Sequence, residues 1–197
     1  MTGQTVLVEQ RALRRRRRRR HLRGDAQYAQ LREVLAHLPR GRLATLGVLG
    51  NHDYGRNWAE REVALRVVAE AERAGVRVLR NEVAAVQGMD VIGVDDLWSQ
   101  HADPAAALRA RTSDAALVLC HNPDTLDVLP WGDYRGWVLA GHTHGMQFGV
   151  EIPGFRWSPV QYMYKQWAGL YKDGNQHLYV NRGFGFIGYP GRVGILP

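Results

Sequence analysis

The chain lacks most of what would mark a secreted or membrane-spanning protein. Cys120 is the only cysteine among 197 residues, so no disulfide can close within the chain and a reducing compartment suits it. No apolar stretch reaches the roughly 18 to 20 residues needed to cross a bilayer. The N-terminal positive charge is not followed by the apolar segment of a secretory signal. No internal repeat is apparent, and the length suits one sizeable core. These absences together predict a single cytoplasmic domain.

Excess charge is also missing from most of the chain, although the net charge is +7. Residues 1–23 hold nine arginines (Arg11, Arg14 to Arg20 and Arg23) against one acid, Glu9, and leave 17 basic and 18 acidic residues for the remainder. Residues 1–23 therefore read as a disordered arginine-rich tail and residues 24–197 as one domain. A block of like charge repels itself and can bind phosphate backbones without sequence preference. Composition alone does not make it a nucleic-acid site, and nucleic acid is the less favoured partner.

What the sequence does have is three apolar runs that end in polar, ligand-bearing residues. Leu43 to Leu49 leads into Gly50-Asn51-His52-Asp53, Ala115 to Cys120 into His121-Asn122-Pro123-Asp124, and Val138 to Ala140 into Gly141-His142-Thr143-His144. Runs that are apolar throughout predict strands buried on both faces, in a sheet that gathers its ligand sites at the carboxyl ends. Four of the eight histidines, His52, His121, His142 and His144, sit there, so they are expected to meet in space. Cys120 reads as a packed, inert thiol, because nothing near it in sequence marks a thiolate.

Around these runs the periodicity predicts a helix over Asp25 to Leu38, closed by Pro39 and Gly41. A second helix is expected to be capped by Asn57 with Glu60 and to end near Gly75. Strands follow at 76–79, 83–86 and 91–94, the last ending in Asp95-Asp96, which read as caps in preference to ligands. Asp103-Pro104 opens a third helix and Asn122-Pro123 a fourth. Residues 148–167 read as irregular and aromatic, with Trp98, Trp157, Tyr162, Tyr164 and Trp167 weighted to the core over a pocket wall. Asp173-Gly174-Asn175 marks a hairpin.

If the strand ends converge, Asn51 supplies a carbonyl oxygen and His121 and His142 supply nitrogens. Such a mixed set suits Mn, Fe or Zn. His144 would face a second ion, and two ions together clamp the attacking and leaving oxygens of a phosphoester and activate a water. His52, held by Asp53, could donate a proton to the leaving oxygen.

Gly50-Asn51-His52-Asp53, His121-x-Pro123-Asp124 and Gly141-His142-Thr143-His144-Gly145-x-Gln147 resemble the successive signatures of the calcineurin-like metallophosphoesterases. The late Asn181-Arg182-Gly183-Phe184-Gly185 adds a similarity to a bacterial phosphodiesterase branch related to UDP-diacylglucosamine hydrolases. The resemblance implies a four-layer α/β/β/α sandwich and a dinuclear site. In it Asn51, His121 and His142 ligate one ion, His144 the other, and His52 with Asp53 acts at the leaving group. It also implies a phosphoester substrate and, as for many members of the branch, peripheral association with a membrane. The chain departs from the family in having no D-x-H before Asn51. Asp25 follows arginines instead of an apolar strand, which puts its role as bridging ligand in doubt. The domain is thus expected to be truncated at its N-terminal edge and at its C-terminus, with two ions in an intact site and one here. A catalytically impaired remnant acting as a binding module is the alternative.

Overall fold

A computed structural model of the chain describes residues 25–183 and 191–194. The arginine-rich segment, together with Phe184 and Gly185 of the late glycine motif, lies outside the described residues. A helix over Asp25–Ala36 (α1) is followed by a short strand at Leu46–Gly47 (β1) and a helix over Arg61–Arg73 (α2). Strands then run at Arg77–Val78 (β2), Glu82–Val86 (β3) and Met89–Gly93 (β4). Next come a helix at Pro104–Arg109 (α3), a strand at Ala116–Leu119 (β5), a helical turn at Thr125–Val128 (α4) and a strand at Trp137–Ala140 (β6). Four further strands complete the description: Val150–Ile152 (β7), Phe155–Trp157 (β8), Gly169–Asp173 (β9) and Gln176–Val180 (β10).

The central sheet has the order β3-β4-β5-β6-β10-β9. Its four inner strands are parallel, and antiparallel hairpin partners flank them at both edges. One face packs Ile92, Val118, Val138, Ala140, Leu178 and Val180 against Ala107 of α3 and against Trp131 and Tyr134. The opposite face presents Val91 and Leu119 to Leu46, Val48 and Leu79 around the two-stranded pair β1-β2. Leu49, Val76 and Val78 turn away from that layer and pack with Leu31 and Leu35 of α1 and Ala64 and Val67 of α2. The architecture is therefore mixed α/β, a central sheet flanked by helices, and it matches the expected sandwich at that coarse level. No helix among the described residues is long and apolar enough to cross a membrane.

Several local expectations need correction. The apolar run at 43–49 forms regular strand only at Leu46–Gly47, although residues 45–50 are buried throughout. Asn57 does not cap α2: it has a left-handed φ of 54°, and the helix begins four residues later behind Glu60, whose carboxylate accepts from Arg56 N at 3.1 Å. Asn122 likewise stands outside α4, its Oδ1 accepting from Asp124 N at 2.9 Å in a turn of its own. At Asn122 a short polar side chain satisfies a nearby backbone amide without starting a helix. Asp103 does cap α3, accepting from Ala106 N at 2.8 Å with Pro104 at the first position. The segment taken as irregular contains the β7–β8 hairpin, turned at Pro153-Gly154, a signal that the sequence carried.

Candidate metal centre

The first contribution comes from the turn after β1. Asn51–Tyr54 forms a single 3-10 turn that Asp53 closes from both sides: its amide donates to Gly50 O at 2.9 Å, and its Oδ2 accepts from Gly50 N at 2.8 Å. Asp53 is buried there while the neighbouring His52 is exposed. Gly50 is required by contact, because a Cβ at this position would stand 2.7 Å from Cε1 of the His121 ring.

The second and third contributions come from adjacent parallel strands. Pairing of β5 with β6 continues past their ends, with Cys120 N donating to Leu139 O at 3.0 Å and Gly141 N to His121 O at 2.9 Å. That register delivers His121 and His142 side by side, their rings edge to face with centroids 4.9 Å apart. His142 adopts a left-handed φ of 69° and His144 one of 55°. Such backbone is unfavourable for residues with a Cβ and persists only where the surroundings hold it, as ligand sites do. Thr143 Oγ1 donates to Trp167 O at 2.6 Å, Arg192 Nη1 donates to His144 O at 2.7 Å, and the Arg182 side chain packs against Gly145, where a Cβ would be 2.4 Å from its Cγ. Arg182 is fixed in turn by two short bonds to the carboxylate of Glu151.

The donor atoms of three strand ends meet. His121 Nε2 lies 3.0 Å from Asn51 Oδ1 and 3.0 Å from His142 Nδ1, and His142 Nε2 lies 3.0 Å from the Tyr164 hydroxyl. Burial, and then repulsion from His142, His144 and His52, holds the proton affinity of His121 well below the usual imidazole range. Burial, with repulsion from His144 and His52, brings His142 down to about 3. Both rings are therefore neutral, the form that binds metals. A neutral His121 has at most one proton at Nε2 for two facing atoms, so hydrogen bonding alone serves the cluster poorly. Asn51, His121 and His142 instead offer a mixed oxygen and nitrogen donor set of the kind that would hold a divalent cation. If Tyr164 accepts from Nε2–H, the lone pair of His142 is left on Nδ1, facing that position.

The predicted residues are thus brought together unequally. Asn51, His121 and His142 are in contact; His144 is buried beside them; His52 and Asp53 share the adjoining turn. Among the described residues no three His, Cys, Asp or Glu side chains are grouped so as to hold an ion, and the contacting set reaches three donors only by counting the Asn51 amide. Asp25 opens α1, and its side chain lies outside the described residues. Cys120 is buried with its thiol pushed up to about 12 by desolvation, which makes it inert. Asp95 accepts from Tyr54 and Arg80 at 2.7 and 2.9 Å, and Asp96 accepts from Ser99 N at 2.7 Å, so the acid pair is structural in its described contacts. Tyr164 and Arg192 reach the centre from later in the chain with no motif to mark them, while Arg182 belongs to the late Asn181-Arg182-Gly183 motif, to which the sequence assigns no role in the centre. Trp58 had no sequence signal either, while Trp98 and Tyr164, weighted to the core, both touch the His142 ring.

Against known proteins, the chain is 32% identical over 150 residues to Phosphodiesterase YaeI of Escherichia coli (strain K12), covering 73% of this chain and 52% of the relative. It is 32% identical over 156 residues to the uncharacterized metallophosphoesterase YkuE of Bacillus subtilis (strain 168), 74% of this chain and 50% of the relative. It is 26% identical over 163 residues to the uncharacterized metallophosphoesterase YkoQ of the same organism, 76% of this chain and 56% of the relative. The chain spans about half the length of the curated relatives it matches. No family model and no solved structure matches it.

Proposed function

The chain is a distant homologue of the calcineurin-like metallophosphoesterases, and from that premise we propose that it hydrolyses a phosphoester in a metal-dependent reaction. A diester is favoured over a monoester because one relative is named a phosphodiesterase. The observation that carries the reading is the contact of Asn51 Oδ1, His121 Nε2 and His142 Nδ1 at successive spacings of 3.0 Å. These atoms would hold the first divalent ion, and His144 would contribute to a second. The chemistry supplied by ions of this kind, Mn, Fe or Zn by donor type, is charge neutralisation at the phosphoryl group and activation of a water.

The chain's own residues do the rest. Tyr164 fixes the His142 ring from the far nitrogen, as partners of ligating histidines commonly do. His52, exposed in the same turn as Asn51, donates a proton or hydrogen bond to the leaving oxygen. Asp53 holds the turn that presents both. The stacking of α3, central sheet, β1-β2 and the α1/α2 pair supports a reading as an α/β/β/α sandwich with a very short second sheet.

Hydrolysis of bis(4-nitrophenyl) phosphate by the full chain with added Mn²⁺ tests the proposal. Nitrophenolate release that chelation abolishes and His142→Ala lowers at least about a hundredfold is expected; no Mn²⁺-dependent release, or a His142→Ala rate equal to wild type, overturns it. One observation favours a second reading, a catalytically impaired remnant that binds without turning over: among the described residues the grouped ionisable ligands fall short of three. Two tightly held equivalents of metal per chain would exclude the remnant.

A further inference from the structure

Two tryptophans stand beside the proposed centre in loops that are held far more tightly than loops need to be. Trp58 and Trp98 contact each other with ring centroids 4.6 Å apart and planes tilted by 43°, and Trp98 meets the His142 ring edge to face at 4.4 Å. Trp58 rests on the core formed by α1 and α2, yet both tryptophans stay only partly buried. Their loops follow β1 and β4, so both rings lie at the same end of the strands as Asn51 and His142.

The backbone holding Trp58 is costly. Gly55, Asn57 and Trp58 have φ values of 66°, 54° and 59°, and a bulky residue in that region is a genuine outlier of the kind found at ligand clamps. The loop is over-determined in return. Glu60 N donates to Tyr54 O at 2.7 Å, and Glu60 Oε2 accepts from Arg56 N at 3.1 Å. Tyr54 donates to Asp95 Oδ1 at 2.7 Å, Arg80 Nε donates to Asp95 Oδ2 at 2.9 Å, and Arg80 Nη2 donates to Tyr54 OH at 3.1 Å. This closed triad ties the loop bearing Trp58 to the loop bearing Trp98, so the ring pair is fixed before any ligand arrives.

We propose that Trp58 and Trp98 form a stacking platform that selects phosphoesters carrying a planar aromatic group, such as a nucleobase. The proposal rests on the phosphoester reading of the adjoining centre. Partly exposed indoles suit a flat π system, and a base on such a ring gains affinity whatever its sequence identity. An alkyl chain would gain no stacking from the two tilted rings.

Calorimetric titration of the full chain in EDTA separates binding from turnover. The probes are adenosine 5′-monophosphate, ribose 5-phosphate and octyl phosphate, against wild type, Trp58→Ala, Trp98→Ala and the matching Phe variants, each checked for its thermal transition. Adenosine 5′-monophosphate is expected to bind about tenfold or more tighter than ribose 5-phosphate, a preference lost in either Ala variant and largely kept in the Phe variants. Equal affinities, no binding of adenosine 5′-monophosphate, a preference unchanged in both Ala variants, or tighter binding of octyl phosphate would each overturn the platform. The two proposals can fail separately: Mn²⁺-dependent hydrolysis without a nucleotide preference removes the platform alone, and a nucleotide preference without hydrolysis removes the catalytic reading alone.

Discussion

Around His121, donor atoms from three strand ends already touch, and each ring has a second partner or a packed neighbour. Two residues past His142, His144 is placed by its backbone, through the Arg192 bond to its carbonyl and the Thr143 and Gly145 contacts on either side. The proposed site for a first ion is built from side chains set by sheet register; the proposed second would hang on one imidazole in a strained turn. Ligand number decides how tightly an ion is held, so the first site should bind an ion independently of the second.

The strongest way to break this contrast is His121→Ala. It should lower affinity for the first Mn²⁺ or Zn²⁺ equivalent by more than about a hundredfold, because removing even an outer partner of a ligand costs about 10–100-fold; calorimetry reads it, and an unchanged first equivalent would refute the assignment. Gly50→Ala comes next. Its new Cβ would stand 2.7 Å from the His121 ring, so the ring must move, and a loss of first-ion affinity of some tens-fold is expected with the far-ultraviolet circular dichroism intact. Tyr164→Phe removes only the hydroxyl at His142 Nε2 and should cost about tenfold in the same titration. Gly145→Ala sharpens the contrast from the other side. At φ 55° and against Arg182 it should cost about 1–2 kcal/mol of stability, read from urea unfolding, while first-ion affinity stays within a factor of two.

The sheet could be read from the sequence where burial left only apolar residues: the runs ending at Cys120 and Ala140 are β5 and β6, and the Asp173-Gly174-Asn175 signal is the β9–β10 hairpin. Those same runs placed His121 and His142, since register alone brings strand ends together. The pattern overreached at residues 43–49, where burial begins only at Thr45 and only two residues pair as strand. It also missed what long-range packing decides. Tyr164 lies 22 residues after His142 in a segment with no period, Trp58 owes its position to a left-handed backbone, and Arg182 reaches Gly145 because of a bidentate bond to Glu151. None of these contacts depends on local spacing, so none could be read from it, although Arg182 itself sits in a motif.

The grip of Arg192 on the carbonyls of His144, Arg182 and Gly183 has a consequence for biosynthesis. The turn that presents the second imidazole of the pair is locked by a side chain translated 48 residues later. While the polypeptide is still growing on the ribosome, the sheet can zip from β4 through β6, but this turn must wait until Arg192 has been made before it sets. A nascent chain stalled before that point would carry every imidazole of the centre and still lack its latch.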